Sequence, residues 1–173
     1  APDARDEVGE CAYVSAARRH HRGVEAQLAR GSSRLDARWK VRAEPATWSD
    51  AKSAGNAYFA KGEPLELRRS VASYTDALLL LAAAGAEGSA GDEAVLRSNR
   101  SAAHAKLGHF EAALVDADAA LELRPGWAKA HGRRGAALHG LGEWSHAESA
   151  YRAGLSVEPD NPVLLRGLED LSA

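Results

Sequence analysis

Residues 94–127, AVLRSNRSAAHAKLGHFEAALVDADAALELRPGW, and residues 128–161, AKAHGRRGAALHGLGEWSHAESAYRAGLSVEPDN, align without a gap. Gly108 pairs with Gly142, Phe110 with Trp144, Ala113 with Ala147, and Ala117 with Tyr151. Ala120 pairs with Gly154, Leu123 with Val157, and Pro125 with Pro159, while Arg133 falls at the place of Asn99. A repeat of about 34 residues implies stacked supersecondary units that bury their apolar faces against one another. Each feature has a physical reason. Gly108 and Gly142 let the chain turn with φ > 0 between two helices. Phe110 and Trp144 follow the turn and are expected to wedge between antiparallel helices. Small residues at Ala113, Ala120, Ala147 and Gly154 permit close helix approach, and Pro125 and Pro159 stop the second helix of each pair.

The same register projected upstream finds an irregular first unit. Its first helix starts at Trp48 and carries Gly55, Tyr58 and Gly62; its second carries Tyr74, Ala77 and Leu80. About three residues are added between Glu63 and Arg69 and roughly nine around Ala83 to Asp92, which inter-helix loops absorb at low entropic cost. Gly85, Gly88 and Gly91 mark the second addition as a loop. Beyond Pro159, Leu164, Leu165, Leu168 and Leu171 recur at helical spacing, so residues 162–172 form a helix that covers the last apolar face.

Composition agrees with an all-α chain. Of 173 residues, 45% are hydrophobic but only 6% aromatic, and alanine dominates, which favours helices packed through small residues over a β-sheet core. A net charge of −2 gives no reason to expect nucleic acid as the partner. No apolar run is long enough to span a bilayer; Leu78 to Leu81 is expected to be the buried face of a helix. No secretory signal is visible, and the one cysteine, Cys11, fits a reducing, cytoplasmic setting. The absence of methionine suggests a segment cut from a longer protein.

The 34-residue pattern resembles the tetratricopeptide repeat (TPR), with small or aromatic residues at these places and a proline closing the second helix. The resemblance covers residues 48–173 and implies a solenoid of three helix-turn-helix repeats, at about 48–82, 94–127 and 128–161, plus a C-terminal capping helix. In such a solenoid the first helix of each pair lines a concave groove. Lys52 and Asn56 lie one turn apart on the first inner helix, Asn99 lies on the second, and Lys129 and Arg133 lie one turn apart on the third. This set, within the words Lys52-Ser-Ala-Gly-Asn56, Ser98-Asn99-Arg100-Ser101 and Lys129-Ala-His-Gly-Arg133, resembles the two-carboxylate clamp of co-chaperone TPR domains. The resemblance implies a partner: the C-terminal tail, ending Glu-Glu-Val-Asp, of the seventy- or ninety-kilodalton heat-shock chaperones. It also implies roles. Lys52, Asn56 and Asn99 would hold the terminal main-chain carboxylate, Lys129 the aspartate side chain, and Arg133 the peptide backbone or an upstream acidic group.

The residue types suit that task, because a terminal aspartate presents two carboxylates that need cations for charge and amides for directed donation. Charge-assisted hydrogen bonds contribute about 1.5–3 kcal/mol each, and several together suit a reversible micromolar contact of about −8 kcal/mol. Phe59, one turn beyond Asn56, Ala102, one turn beyond Asn99, and Lys106, a further turn on, are candidates for a peptide pocket upstream of the clamp. Two other readings remain open: a scaffold for an internal peptide motif, and the targeting domain of a larger enzyme whose catalytic part lies elsewhere.

Other chemistry finds no support in the residues. The adjacent His20 and His21 point to different sides of a helix, and neither His104 with His109 nor His139 with His146 has the ligand spacing that zinc needs, so no metal is expected. No nucleophile–His–Asp set, phosphate loop or carboxylate pair appears, so neither catalysis nor a cofactor is expected. Residues 1–47 read as an N-terminal extension, partly helical, with an imperfect apolar stripe (Val8, Cys11, Ala12, Ala16, Val24, Leu28) between Asp6 and Arg30. The run Arg18-Arg19-His20-His21-Arg22 reads as a solvated helix face, and Trp39 and Val41 as residues that pack on the first repeat.

Overall fold

The structure, a computed structural model, describes residues 47–85 and 90–172. The expectations for the N-terminal extension, including Cys11, the basic run, Trp39 and Val41, lie outside the described residues. All seven described elements are α-helices: α1 Trp48–Lys61, α2 Pro64–Ala84, α3 Ala90–Lys106, α4 Phe110–Leu123, α5 Ala128–Gly140, α6 Trp144–Val157 and α7 Pro162–Ser172.

Local chemistry sets their ends. At the start of α1 the Thr47 hydroxyl accepts the Asp50 N–H at 3.1 Å and the Asp50 carboxylate accepts the Thr47 N–H at 3.1 Å, a reciprocal capping box. Gly62, Gly108 and Gly142 take φ of 76°, 77° and 77° and turn α1 into α2, α3 into α4 and α5 into α6. α4 and α6 stop two residues short of Pro125 and Pro159, as the steric bias of a residue preceding proline requires.

Both additions to the first unit lengthen helices. Buried residues of the second helices align as Ser70, Ser73, Tyr74 and Ala77 in α2, Ala113, Asp116, Ala117 and Ala120 in α4, and Ala147, Ala150, Tyr151 and Gly154 in α6. In that register α2 starts one turn early, at Pro64, whose fixed φ and missing N–H suit a first helical position. Likewise α2 runs on to Ala84 and α3 begins at Ala90, so both helices reach into the stretch expected as a loop. Alanine's helix propensity outweighs the cost of Gly91 within the first turn of α3. The leucine run also differs from expectation. Leu81 is buried and Leu78 and Leu80 pack against the core, but Leu79 is 60% exposed, because four consecutive helical residues cannot share one face.

The first helices approach closely in series, α1 with α3, α3 with α5 and α5 with α7, whereas among the described residues the backbones of α2, α4 and α6 stay apart from one another. A closed inner rank and a fanned outer rank make the face of the first helices concave. Phe110 lies on α5, where a side chain at Gly140 would come within 2.3 Å of its ring. Trp144 does not wedge in the same way: it is 57% exposed, with its ring edge-on to His139 at 5.2 Å.

α7 covers the third unit. Leu164 is buried between α5 and α6, where a Cβ at Gly132 would sit 2.9 Å, and one at Gly154 2.7 Å, from its methyl groups. The Tyr151 ring is held between Gly135 of α5 and Gly167 of α7, where added Cβ atoms would fall 2.5 and 2.6 Å from it. Overpacking such a contact costs about 1–3 kcal/mol, more than valine gains over glycine in helix propensity. Gly135→Val is therefore expected to lower the unfolding free energy by about that amount, seen as a lower urea midpoint with the m-value unchanged; an unaltered midpoint would contradict the packing described.

Candidate functional site

The fold places the five candidate polar residues on α1, α3 and α5, and links three of them in one chain of hydrogen bonds. The Lys129 ammonium donates to Asn99 Oδ1 at 3.4 Å, Asn99 Nδ2 donates to Asn56 Oδ1 at 3.4 Å, and the Tyr74 hydroxyl donates to the same Asn56 oxygen at 2.7 Å. Arg133 lies within electrostatic range of both Lys129 and Tyr74. Lys52 stands one turn before Asn56 but does not join the chain: its ammonium sits 4.7 Å above the Trp48 ring, a cation–π contact.

Neighbouring contacts fix how α3 presents Asn99. Arg100, the next residue, points the other way and grips Asp116 of α4 with two hydrogen bonds of 2.7 Å, from Nε and from Nη2. Its Nη1 donates to Thr75 of α2 at 3.0 Å, and Asp116 is only 2% exposed. This bidentate pair, with the Ser101 hydroxyl donating to the Ala113 carbonyl at 2.7 Å, locks the rotation of α3 about its axis. Asn99 is thereby held towards α1 and α5. On the first pair the Ser70 hydroxyl donates to the Gly55 carbonyl at 2.9 Å, next to Asn56.

The site carries uncompensated positive charge. Among the described residues no ion pair involves Lys52, Lys129 or Arg133, while Lys61, Arg69, Arg97, Arg100, Arg134 and Arg152 are all paired with carboxylates. Burial, followed by the repulsion of Arg133, holds the Lys129 ammonium below the usual lysine pKa. Burial likewise lowers Arg133, opposed by its attraction to Tyr74, though a guanidinium keeps its proton. Arg133 Nε is buried and has no hydrogen-bond partner among the described residues, a donor in want of an acceptor.

Of the candidate pocket residues, Phe59 has two roles: it packs against the first core cluster and offers its ring to Lys106, whose ammonium lies 4.4 Å from the ring centre. Ala102 is buried at 6% exposure, so it backs the groove more than it lines it. The sequence reading missed Tyr74 as a partner of Asn56, having placed it only at a repeat position of the second helix, and missed Trp48 and Trp127, whose rings lie beneath Lys52 and Lys129 at 4.7 and 5.9 Å. A tryptophan one turn before one groove lysine, and another two residues before the next, was the available signal.

Comparison with solved structures settles the family. The second TPR domain of human RPAP3, in complex with HSP70 peptide SGPTIEEVD, superposes with a TM-score of 0.60 at 30% identity, over 71% of this chain and 92% of that one. The chain belongs to the tetratricopeptide-repeat family. A second TPR structure, the first TPR of Spaghetti (RPAP3) bound to HSP90 peptide SRMEEVD, matches with a TM-score of 0.62 at 27% identity, over 75% of this chain and 95% of that one. Among sequences, the Hsp70-Hsp90 organizing protein of Triticum aestivum is 40% identical over 121 residues, 70% of this chain and 19% of the relative. The TPR chain thus spans about a fifth of the length of the curated relatives it first matches. No protein-family model matches it.

The Lys129 charge works against folding of the unliganded TPR domain. Its pKa is depressed in the folded state, so the unfolded chain holds the proton more tightly, and stability rises as pH climbs from the depressed value to the ordinary lysine value. Removing the charge lifts that opposition. Lys129→Met should therefore raise the urea midpoint at neutral pH, and a lowered midpoint would contradict this assignment.

Proposed function

We propose that this TPR domain is a binding module for a free, acidic chain end, and that its ligand is the Glu-Glu-Val-Asp tail of seventy- or ninety-kilodalton heat-shock chaperones. The observation that carries the reading is the pair of unpaired cations, Lys129 and Arg133, beside two amides that neighbouring inner helices hold in one chain. A terminal aspartate supplies what this arrangement lacks: two carboxylates, four oxygens and no donor to compete. Asn56 and Asn99, with Lys52, take the main-chain carboxylate. Lys129 takes the aspartate side chain, and Arg133 reaches the peptide backbone or an upstream acid. Phe59 and Lys106, backed by Ala102, contact residues further upstream.

The neighbours support the same reading, because two TPR structures of this fold were obtained with HSP70 and HSP90 peptides ending in EEVD. Sequence relatives named for organising those chaperones point the same way. The module acts by recognition rather than catalysis, as a co-chaperone or chaperone adaptor in the cytoplasm. No described helix is long and apolar enough to cross a membrane.

Calorimetry with a peptide ending in Glu-Glu-Val-Asp tests the assignment. The free acid should bind at micromolar Kd, and amidating its terminus should abolish binding, whereas a scaffold for internal motifs would bind both forms alike. Lys129→Ala and Arg133→Ala should each weaken binding at least tenfold, about 1.4 kcal/mol or more, with helicity intact. Unchanged affinity at moderate salt in either variant would refute the clamp.

A further inference from the structure

Every donor and acceptor in the chain that ends at Tyr74 has a forced direction. An ammonium can only donate, so Lys129 Nζ requires an oxygen, and the oxygen of Asn99 must face it. The nitrogen of Asn99 then faces α1 and needs an acceptor, which fixes Asn56 with its oxygen towards Asn99. That same oxygen lies 2.7 Å from the Tyr74 hydroxyl, which must therefore donate. The sequence of constraints starts from a charge that cannot be reversed and assigns both amide orientations without further assumption.

The consequence falls on the Asn56 amide nitrogen. With its oxygen held by two donors, one short and one long, Asn56 turns its two N–H groups away from α2 and α3. The short bond is the stronger constraint and comes from a residue that is itself immobile. Tyr74 is 1% exposed and its ring lies against Gly55, where a Cβ would approach to 2.6 Å. The 2.7 Å bond is thus supplied from the core to a side chain that is otherwise exposed.

We propose that Tyr74 is a positioning residue for the groove: its buried hydroxyl sets the Asn56 amide so that Asn56 meets an incoming carboxylate with N–H groups and not with its own oxygen. Without that hydroxyl only the longer 3.4 Å contact from Asn99 orients the amide, and the reversed orientation, which presents oxygen to an anion and repels it, gains population. Tyr74 itself need not touch the peptide. This inference rests on the carboxylate-binding reading above, and its test separates the two.

The test is calorimetry of the Glu-Glu-Val-Asp peptide against wild-type protein, Tyr74→Phe, Asn56→Ala and the double variant. Phenylalanine keeps the ring against Gly55 and removes only the hydroxyl. Tyr74→Phe should weaken the free-acid peptide about three- to tenfold, the range expected for one hydrogen bond. In the Asn56→Ala background the same change should have little or no effect, since Tyr74 acts through Asn56. An unchanged Kd in Tyr74→Phe, or an equal loss with and without Asn56, overturns the proposal. If wild-type protein itself fails to distinguish free acid from amide, the carboxylate reading fails instead. Should Tyr74→Phe not fold, NMR of the wild-type protein decides. A slowly exchanging Tyr74 hydroxyl proton with a cross-peak to the Asn56 side chain supports the proposal, and a freely exchanging hydroxyl refutes it.

Discussion

The contact between an aromatic ring and a bare glycine backbone is the constraint from which the fold and the groove both follow. Tyr74 meets Gly55 in the first helix pair and Tyr151 meets Gly135 in the third, each so closely that no Cβ fits between them. A glycine at that point lets the second helix approach the first until the ring bridges them, and the buried ring excludes water from the seam. The approach also sets reach. Only because the Tyr74 ring crosses at Gly55 does its hydroxyl arrive at Asn56, one residue further along the same helix. Packing and recognition thus share one residue pair, with the ring serving the core and the hydroxyl the groove.

The groove holds cations that no carboxylate among the described residues pairs with. Several cations elsewhere are paired: Arg100 is clasped by a buried aspartate, and Arg97, Arg134 and Arg152 pair with acids on the same or adjacent helices. Surface pairs of this kind contribute little to stability. The Arg100–Asp116 pair is different, since it is bidentate, mostly buried and tied to a third helix through Thr75. Its effect is orientational, holding α3 so that Asn99 and Arg100 face opposite ways. Lys129 and Arg133, by contrast, are left close together and partly desolvated with no counter-ion among the described residues. Two like charges so placed oppose the unliganded fold, and an anion with two negative groups relieves both the repulsion and the lost hydration.

Much of this was legible in the residues and some was not, for identifiable reasons. The two ungapped repeats announced the helical pairs because glycine at the turn and proline at the end act locally, and local rules survive folding. The five polar residues were picked out by their resemblance to the two-carboxylate clamp, counted in the register those markers set. The lengthening of α2 and α3 was hidden: Gly85, Gly88 and Gly91 signal a loop by composition, yet Ala90 and Gly91 belong to α3. Trp144 misled in the opposite sense, since the wedge at Phe110 depends on Gly140 in the next unit and not on the aromatic residue itself. Tyr74 was read as a repeat residue of the second helix and not as a partner of Asn56, because spacing reports which face a side chain occupies but not how far its polar tip extends.

The central claim is spatial: one chain end bearing two carboxylates contacts three consecutive inner helices together. Nitrogen-labelled NMR of the side chains during titration with a Glu-Glu-Val-Asp peptide tests it most directly. The account predicts that the amide resonances of Asn56 and Asn99 and the Arg133 Nε–H resonance shift together along one binding curve, while resonances on the outer faces of α4 and α6 stay in place. Shifts confined to the outer helices, or to one inner helix alone, would contradict it.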